Sequence, residues 1–211
     1  MIKVNEIFLS LQGESTYAGL PCIFVRLTGC NLRCKWCDTT YSFYEGTDLE
    51  TEAIIERISK YDCKLIEFTG GEPLLQKNEL LPIFRKLIDN GFRILLETNG
   101  SISLKEVPKE VVKIVDYKTL SSGENKSFNL ENIQYLDSKD EVKFVINDNK
   151  DFLDVVNFVK IHDLKAKLLI SKVGDSKLTH REIADLILSS GINFRYQIQM
   201  HKIIWGNEKG R

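Results

Sequence analysis

The chain lacks several features that would place it in a special class of protein. Its formal net charge is only −1, because 29 lysines and arginines oppose 30 acidic residues. No overall attraction to nucleic acid is therefore expected. No apolar run is long enough to span a bilayer, and the first six residues carry no signal-peptide pattern. We expect a cytoplasmic protein that binds neither membranes nor nucleic acid.

The chain also has no internal repeat and no low-complexity linker, which predicts a single domain over residues 1–211. Its composition, 43% hydrophobic and 28% charged, is that of an ordinary globular protein. The five cysteines are odd in number and clustered, which fits a metal site in a reducing compartment better than a disulfide framework. Cys22 and Cys63 lie in apolar runs, so we interpret them as core residues.

What the sequence does contain is a close group of three cysteines. Cys30, Cys34 and Cys37 follow the order Cys-x-x-x-Cys-x-x-Cys. Soft thiolates at this spacing can bind zinc, copper(I) or an iron–sulfur cluster. A structural zinc site and an ordinary ferredoxin cluster each use four protein ligands. Three ligands leave one metal position open, which indicates chemistry at the metal; a partial zinc site is the alternative.

Strand-like and helix-like patterns alternate along the chain, which predicts an α/β fold. Such alternation is typical of a mainly parallel sheet, here a partial TIM-like barrel of about six parallel strands with helices outside. Thr51 is the predicted N-cap of the first helix, and Thr179 with Glu182 forms a predicted capping box. Strands are predicted at residues 4–11, 22–27, 65–69, 93–97, 111–118, 141–146, 167–173 and 193–199, and helices at 52–61, 80–90, 129–136, 150–161 and 180–190.

Polar or glycine-rich segments follow four of the predicted strands, at residues 30–39, 69–75, 97–100 and 118–123. Because the carboxyl ends of parallel strands meet on one side of the sheet, these segments predict the position of the functional site. One of them begins Thr69-Gly70-Gly71-Glu72-Pro73. Its two glycines allow a ligand to approach the backbone closely. An ordinary turn between strand and helix is the alternative.

The cysteine motif, with Trp36 before its last cysteine, resembles the signature of the radical S-adenosylmethionine (SAM) superfamily. The Gly-Gly-Glu-Pro segment resembles the part of that fold that receives the methionine amino group of SAM. The resemblance implies a 4Fe–4S cluster on Cys30, Cys34 and Cys37, with SAM on the fourth iron and an electron donor such as flavodoxin or ferredoxin. The SAM contacts that it implies are Trp36, Asp38, Gly71, Glu72, Glu97 and Lys118, where an exposed lysine is the alternative for Lys118.

Both ends of the chain resemble one family of that superfamily, the 7-carboxy-7-deazaguanine synthases. The matching segments are residues 6–8, 11–14, 37–39 and 199–206, together with Arg26. This resemblance implies conversion of 6-carboxy-5,6,7,8-tetrahydropterin to 7-carboxy-7-deazaguanine with loss of ammonia, for queuosine and related compounds. It further implies a homodimer and a magnesium ion held by Thr39. The implied substrate contacts are Leu11, Gln12, Gly13, Glu14, Arg26 and Thr69.

Arg26 is the one charged residue of its apolar strand and therefore needs an anionic partner. We predict the substrate carboxylate as that partner, with a salt bridge to Glu14 as the alternative. The amide of Gln12 and the backbone of residues 11–13 are predicted to hydrogen-bond the pyrimidine edge of the pterin. For the Thr39 hydroxyl, the alternative to magnesium is a helix cap or a loop contact. His201 is predicted near the substrate, with a packing or dimer contact as the alternative, and no general base is assigned.

Two segments depart from the family pattern. Many members carry Ser-Pro-Lys in the region where this chain has residues 117–123, and Gln-Pro near the region where it has residues 171–174, so the SAM contacts there stay open. Whether Arg211 reaches the substrate is also open. A glycyl-radical activase would share the cysteines but would not need Arg26, and a metal-stapled scaffold is a non-enzymatic rival. An apolar patch at Ile203, Ile204 and Trp205 is the candidate dimer interface.

Overall fold

A computed structural model describes residues 1–206, 208 and 210. Its described part contains one sheet in the order β3-β1-β2-β4-β5-β6-β7-β8-β9. From β2 through β4 to β9 the strands run parallel, while β1 is antiparallel to β2 and β3 is antiparallel to β1. The strands are β1 (Ile2–Leu11), β2 (Pro21–Leu27), β3 (Thr47–Leu49), β4 (Leu65–Gly70), β5 (Arg93–Thr98), β6 (Val112–Tyr117), β7 (Glu141–Ile146), β8 (Lys167–Lys172) and β9 (Phe194–Tyr196).

The sheet does not close on itself within the described residues, so the predicted α/β fold with a partial barrel is confirmed. Seven strands are parallel, where about six are predicted. The connecting helices are α1 (Thr51–Ser59), α2 (Lys77–Asp89), α3 (Asn149–Ile161), α4 (His180–Ser190) and α5 (Met200–Trp205), with 3₁₀ turns at Thr40–Phe43, Pro73–Gln76, Leu120–Ser122 and Leu130–Tyr135. No helix in the part of the chain that the structure describes is long and apolar enough to cross a membrane.

Side-chain alternation along the parallel strands separates the core from the cavity. On β4, Phe68 is fully buried against Phe84 of α2, with ring centroids 5.0 Å apart. Its neighbours Glu67 and Thr69 point to the other face of the sheet and line a cavity inside the open barrel. The outer face therefore supplies the main core under the helices, and the inner face supplies the polar groups of the site.

A smaller apolar cluster lies on the inner face, below the cavity. It includes Leu65, Leu95 and Val112, and the fully buried Cys22 belongs to it. Cys63 packs against the same cluster, and its thiol donates to the Pro21 carbonyl at 3.3 Å. Cys22 is thus a core residue, as predicted, while Cys63 is half-buried and packs at the edge of that core.

Of the two predicted helix N-caps, one is found in the structure and the other is not. The Thr179 hydroxyl accepts from the Glu182 amide and the Glu182 carboxylate accepts from the Thr179 amide, so the capping box is confirmed. The prediction of Thr51 as an N-cap is wrong: Glu50 occupies the cap, and Thr51 is the first residue of α1. The short elements β3 and α5 are absent from the sequence prediction because three and six residues are too few to show a period.

The two threonines give a direct test of the capping assignment. Thr179→Ala removes two side-chain hydrogen bonds and should lower the free energy of unfolding by about 1 kcal/mol. Thr51→Ala should have little effect or stabilise slightly, because alanine is the better helix former. Urea denaturation followed by circular dichroism measures both variants. Equal destabilisation by the two substitutions would contradict the assignment.

Candidate active site

The three clustered cysteines open into one cavity at the carboxyl ends of the parallel strands. Cys30, Cys34 and Cys37 are half-buried free thiols that line this cavity. Their loop leaves β2 and is fastened to the segment after β6: the Lys35 amide donates to the Ser122 carbonyl at 3.0 Å. The three cysteines thus line one cavity, and their loop is held in place by a backbone hydrogen bond to the segment after β6.

This donor set suits an iron–sulfur cluster, because the three thiols line one cavity and cysteine thiolates are the usual cluster ligands. Among residues 1–206, 208 and 210, no three histidine, cysteine or acidic side chains are grouped so that they could hold one metal ion. Burial raises the pKa of Cys30 and Cys34, that of Cys34 to about 11, so cluster binding would release their protons.

The glycine turn after β4 packs directly against the start of the cysteine loop. The Gly71 amide donates to the Leu27 carbonyl at 3.2 Å, and the Glu72 amide donates to the Gly29 carbonyl at 2.7 Å. A Cβ atom on Gly70 would overlap the Leu27 backbone, and one on Gly71 would overlap Gly29. Gly70 also has a φ of +141°. The chain's own packing therefore requires both glycines, and both still line the cavity.

Glu72 has a different setting from the other predicted SAM contacts, because its fully buried side chain does not line the cavity. One carboxylate oxygen accepts from the Leu74 amide at 3.0 Å and the Thr98 hydroxyl at 2.8 Å. The other accepts from the Asn99 amide at 2.7 Å. Glu72 thus fastens the glycine turn to the end of β5.

A buried lysine that the sequence reading missed lies at the centre of the cavity wall. Lys143 on β7 donates to Glu14 at 2.9 Å and to Glu97, and its Nζ lies 3.6 Å from Asp116. Glu97 also accepts from the Thr69 hydroxyl at 2.9 Å. Burial acts to raise the pKa of Glu97, but Lys143 and these hydrogen bonds outweigh it and lower the value to about 2.

Gln12 makes hydrogen bonds with neighbouring residues through both its side chain and its backbone. Its amide nitrogen donates to Glu67 at 2.6 Å, and its amide oxygen accepts from the Glu14 amide at 2.6 Å. Its backbone N–H and C=O pair with Leu20 and Gly19, both at 2.8 Å. The side-chain contacts use one N–H and one lone pair of the Gln12 amide, which still lines the cavity, so its contact with a pyrimidine edge stays a prediction. Glu67, for which no role is predicted from the sequence, also faces the cavity, and burial raises its pKa to about 8.

Arg26 lines the cavity and forms its salt bridge with Glu6 rather than with Glu14. Its Nε donates to Glu6 at 2.7 Å, and its guanidinium lies 5.9 Å from the Tyr41 ring centroid. The alternative of a salt bridge to Glu14 is wrong, because Glu14 pairs with Lys143 and with Gln199 at 2.6 Å. Within the described residues, no acceptor bonds the two terminal nitrogens of Arg26, so its fork remains available to an anion.

Lys118 and Asp38 face the same cavity, each with a charged partner. Lys118 is 2.9 Å from Asp116 and only 19% exposed, so the exposed-lysine alternative is wrong. Burial acts to lower its pKa, but Asp116 outweighs it and raises the value to about 12. Asp38 is 58% exposed and pairs with Lys202 at 3.0 Å.

Thr39 lies on the cavity wall beside the last cysteine. Its hydroxyl is 3.7 Å from the Cys37 sulfur, and it caps the following 3₁₀ turn only through its backbone, since the side chain makes no cap hydrogen bond. The helix-cap alternative for this hydroxyl is thus wrong, while a loop contact and a metal contact both remain compatible with its position.

The C-terminal segment completes the cavity. The Met200 amide donates to the Gly13 carbonyl at 2.9 Å, and the His201 ring lies so close that a Cβ atom on Gly13 would overlap it. Arg211 lies outside the described residues. The predicted site residues that line the cavity are Leu11, Gln12, Gly13, Glu14, Arg26, Cys30, Cys34, Trp36, Cys37, Asp38, Thr39, Thr69, Gly71, Glu97 and Lys118.

Comparison with known proteins agrees with this geometry. The family model of the radical SAM superfamily matches residues 24–187. A 7-carboxy-7-deazaguanine synthase of Koribacter versatilis is 42% identical and aligns over 98% of both chains. One from Thermoplasma acidophilum is 37% identical over 98% of this chain and 99% of its own. The chain belongs to the 7-carboxy-7-deazaguanine synthase family of radical SAM enzymes.

A solved structure supports the same placement. The crystal structure of QueE from Escherichia coli superposes with a TM-score of 0.75 at 25% identity, and the match covers 95% of this chain and 94% of that one. Membership of the 7-carboxy-7-deazaguanine synthases makes this chain a radical SAM lyase, and the superfamily implies a 4Fe–4S cluster and SAM. It decides against the glycyl-radical activase and the metal-stapled scaffold.

The buried acid of this synthase gives a test that needs no cofactor. Glu67 keeps its proton in the native state up to about pH 8 but loses it near pH 4.5 when unfolded. Between pH 5 and 8 the unfolded state therefore binds fewer protons, so this group lowers stability as pH rises. In Glu67→Gln that loss is absent.

Urea denaturation at pH 5 and pH 8 measures the effect. The stability of Glu67→Gln relative to the unaltered protein should increase from pH 5 to pH 8 by more than about 1 kcal/mol. Glu79→Gln, at an exposed position of α2, is the control and should follow the unaltered protein at both pH values. A parallel pH dependence of Glu67→Gln and the unaltered protein would contradict the buried, neutral acid.

Proposed function

We propose that this chain converts 6-carboxy-5,6,7,8-tetrahydropterin to 7-carboxy-7-deazaguanine with loss of ammonia, the step that builds the deazapurine core of queuosine. One observation carries the proposal beyond family membership. A single cavity joins three thiols, a glycine turn and an arginine whose terminal nitrogens have no bonded acceptor in the described chain. These are the groups that a cluster, SAM and a carboxylated substrate need together.

The cysteine side of the cavity would hold the cofactors. Cys30, Cys34 and Cys37 are the proposed cluster ligands, and SAM would lie against Gly70 and Gly71. With electrons from a donor such as flavodoxin or ferredoxin, a bound cluster and SAM would supply the radical chemistry needed to abstract hydrogen at C6 of the pterin. The proposed SAM-binding side chains are Trp36, Asp38, Glu97 and Lys118, while Glu72 would act through Thr98 and Asn99.

The opposite side of the cavity would bind the substrate. The open fork of Arg26 offers two parallel N–H groups to the substrate carboxylate, and Glu6 fixes the orientation of that fork through Nε. Phe8 and Phe24 stack with centroids 5.2 Å apart and line the cavity, which gives a fused ring system a flat apolar wall. Glu67, beside Gln12 in the cavity lining, would supply a further acceptor for a ring N–H.

Magnesium and dimer formation are further parts of the proposal. Magnesium takes few protein ligands and keeps substrate or water oxygens, and the half-buried Thr39 hydroxyl in the cavity wall suits that need. For a homodimer, the supporting observation is the exposure of Ile203 at 70% and Ile204 at 47% on α5.

The decisive experiment uses anaerobically reconstituted, reduced protein with SAM, magnesium and 6-carboxytetrahydropterin. Mass spectrometry should detect 7-carboxy-7-deazaguanine in excess of the SAM consumed, and omission of magnesium should slow its formation. Iron analysis accompanies the assay to establish cluster loading. Release of 5′-deoxyadenosine without any deazaguanine product would contradict the proposed substrate but would be consistent with radical SAM chemistry.

Arg26 gives the sharpest test of substrate orientation. Arg26→Lys keeps the charge but loses the fork, so kcat/KM for the pterin should fall about tenfold to a hundredfold. Release of 5′-deoxyadenosine without pterin should stay unchanged. Arg195→Lys, at an exposed position on β9, is the matched control and should retain full activity. An unchanged kcat/KM in Arg26→Lys would rule out the carboxylate contact.

A further inference from the structure

Lys143 lies where three elements of the cavity wall meet. Its side chain is 7% exposed, and its ammonium donates to Glu14 at 2.9 Å and to Glu97. Asp116 is 3.6 Å away. These carboxylates come from the loop after β1, the end of β5 and the end of β6. One cation on β7 therefore connects segments that are far apart in the sequence.

Two of the carboxylates near Lys143, those of Glu14 and Glu97, are hydrogen-bonded to different walls of the cavity. The second oxygen of Glu14 accepts from Gln199 at 2.6 Å, which joins it to the C-terminal segment on the substrate side. The second oxygen of Glu97 accepts from the Thr69 hydroxyl beside the glycine turn, on the cofactor side. Lys143 is thus a shared hydrogen-bond donor to the proposed substrate wall and the proposed cofactor wall.

The charges explain why this lysine is difficult to replace. Three carboxylates close together in a low-dielectric site repel one another unless a cation lies among them. Lys118 is close to Asp116 at 2.9 Å, but Glu14 and Glu97 both take their ammonium partner from Lys143. Without Lys143, these two half-buried acids would move apart or take up protons, and either change would displace the walls.

We propose that Lys143 is a positioning residue that sets the distance between bound SAM and bound pterin by holding Glu14 and Glu97 on one ammonium. The inference rests on the proposed function, since it assumes that the two walls bind those ligands. Lys143 acts through the two carboxylates and need not touch either ligand. Its loss should therefore misalign the reacting groups and, by displacing Glu97, weaken SAM binding, although Lys143 itself contacts neither ligand.

The chain offers a matched control on the neighbouring strand. Lys113 on β6 is 4% exposed and pairs with the fully buried Asp140 at 3.0 Å. Neither residue lines the cavity. Lys113→Met therefore removes a buried lysine from an ion pair without changing the cavity wall, whereas Lys143→Met makes the same chemical change at the centre of that wall.

Both variants are tested as cluster-loaded protein. In Lys143→Met, kcat/KM for the pterin should fall about a hundredfold, the effect of a misplacement of about 1 Å, and more 5′-deoxyadenosine should be released per product formed. Calorimetry should also show weaker SAM binding. Lys113→Met should lower the melting temperature but leave the product ratio and SAM affinity unchanged. Equal effects of both variants would overturn the proposal.

A second measurement covers the case in which Lys143→Met does not fold. Glu14→Gln, Glu97→Gln and the double variant all retain Lys143, and their SAM dissociation constants form a cycle. Coupling through Lys143 predicts non-additive effects of at least about threefold, although Glu14 lies on the substrate side. Additive effects would overturn the positioning role. This cycle needs no pterin, so it separates failure of the Lys143 inference from failure of the proposed substrate.

Discussion

The site depends on the close approach of two backbones at the rim of the sheet. Gly71 lies against Gly29 with no room for a side chain, and the Glu72 amide donates to the Gly29 carbonyl at 2.7 Å. The Glu72 carboxylate then fastens this turn to Asn99 at the end of β5. Three strand ends are therefore locked together before any ligand arrives, and the cysteine loop has a rigid neighbour on one side. A cofactor that spans these ends would meet a surface already set for it.

The protonation states of the acids inside the barrel depend on how closely those acids are packed. Two carboxyl groups that share one small cavity cannot both be ionised without a cation, so their pKa values separate. Glu97 takes the Lys143 ammonium and the Thr69 hydroxyl, and stays ionised. Within the described residues, Glu67 receives a single side-chain hydrogen bond, from the Gln12 amide, and keeps its proton near neutral pH. The cavity thus combines a carboxylate and a neutral acid, and no acceptor from the described residues bonds the terminal nitrogens of Arg26.

The fold and the rim could be predicted from the sequence because both follow from local patterns. Alternating strands and helices fix the topology, and carboxyl ends of parallel strands must meet. Partners across the barrel could not be predicted. Arg26 faces Glu6 because of the antiparallel register of β1 and β2, which shifts between Val4 and Glu6. No sequence period indicates that shift. Lys143 had a signal, a charge within an apolar strand, but the sequence does not show which acids it meets.

The likeness of both chain ends to one family has a structural reason. Ser15 donates its amide to the Gln197 side chain at 3.1 Å, and Gln197 donates back to the Ser15 carbonyl at 2.6 Å. Two residues before Ser15, the Gly13 carbonyl accepts from the amide of Met200, three residues after Gln197. The loop after β1 and the segment after β9 are therefore one unit in the wall of the cavity. The cysteine loop and the glycine turn typical of the superfamily lie between these ends in the sequence, and the proposed substrate contacts at residues 11–14 lie where the two ends meet, so a match at one end requires a match at the other.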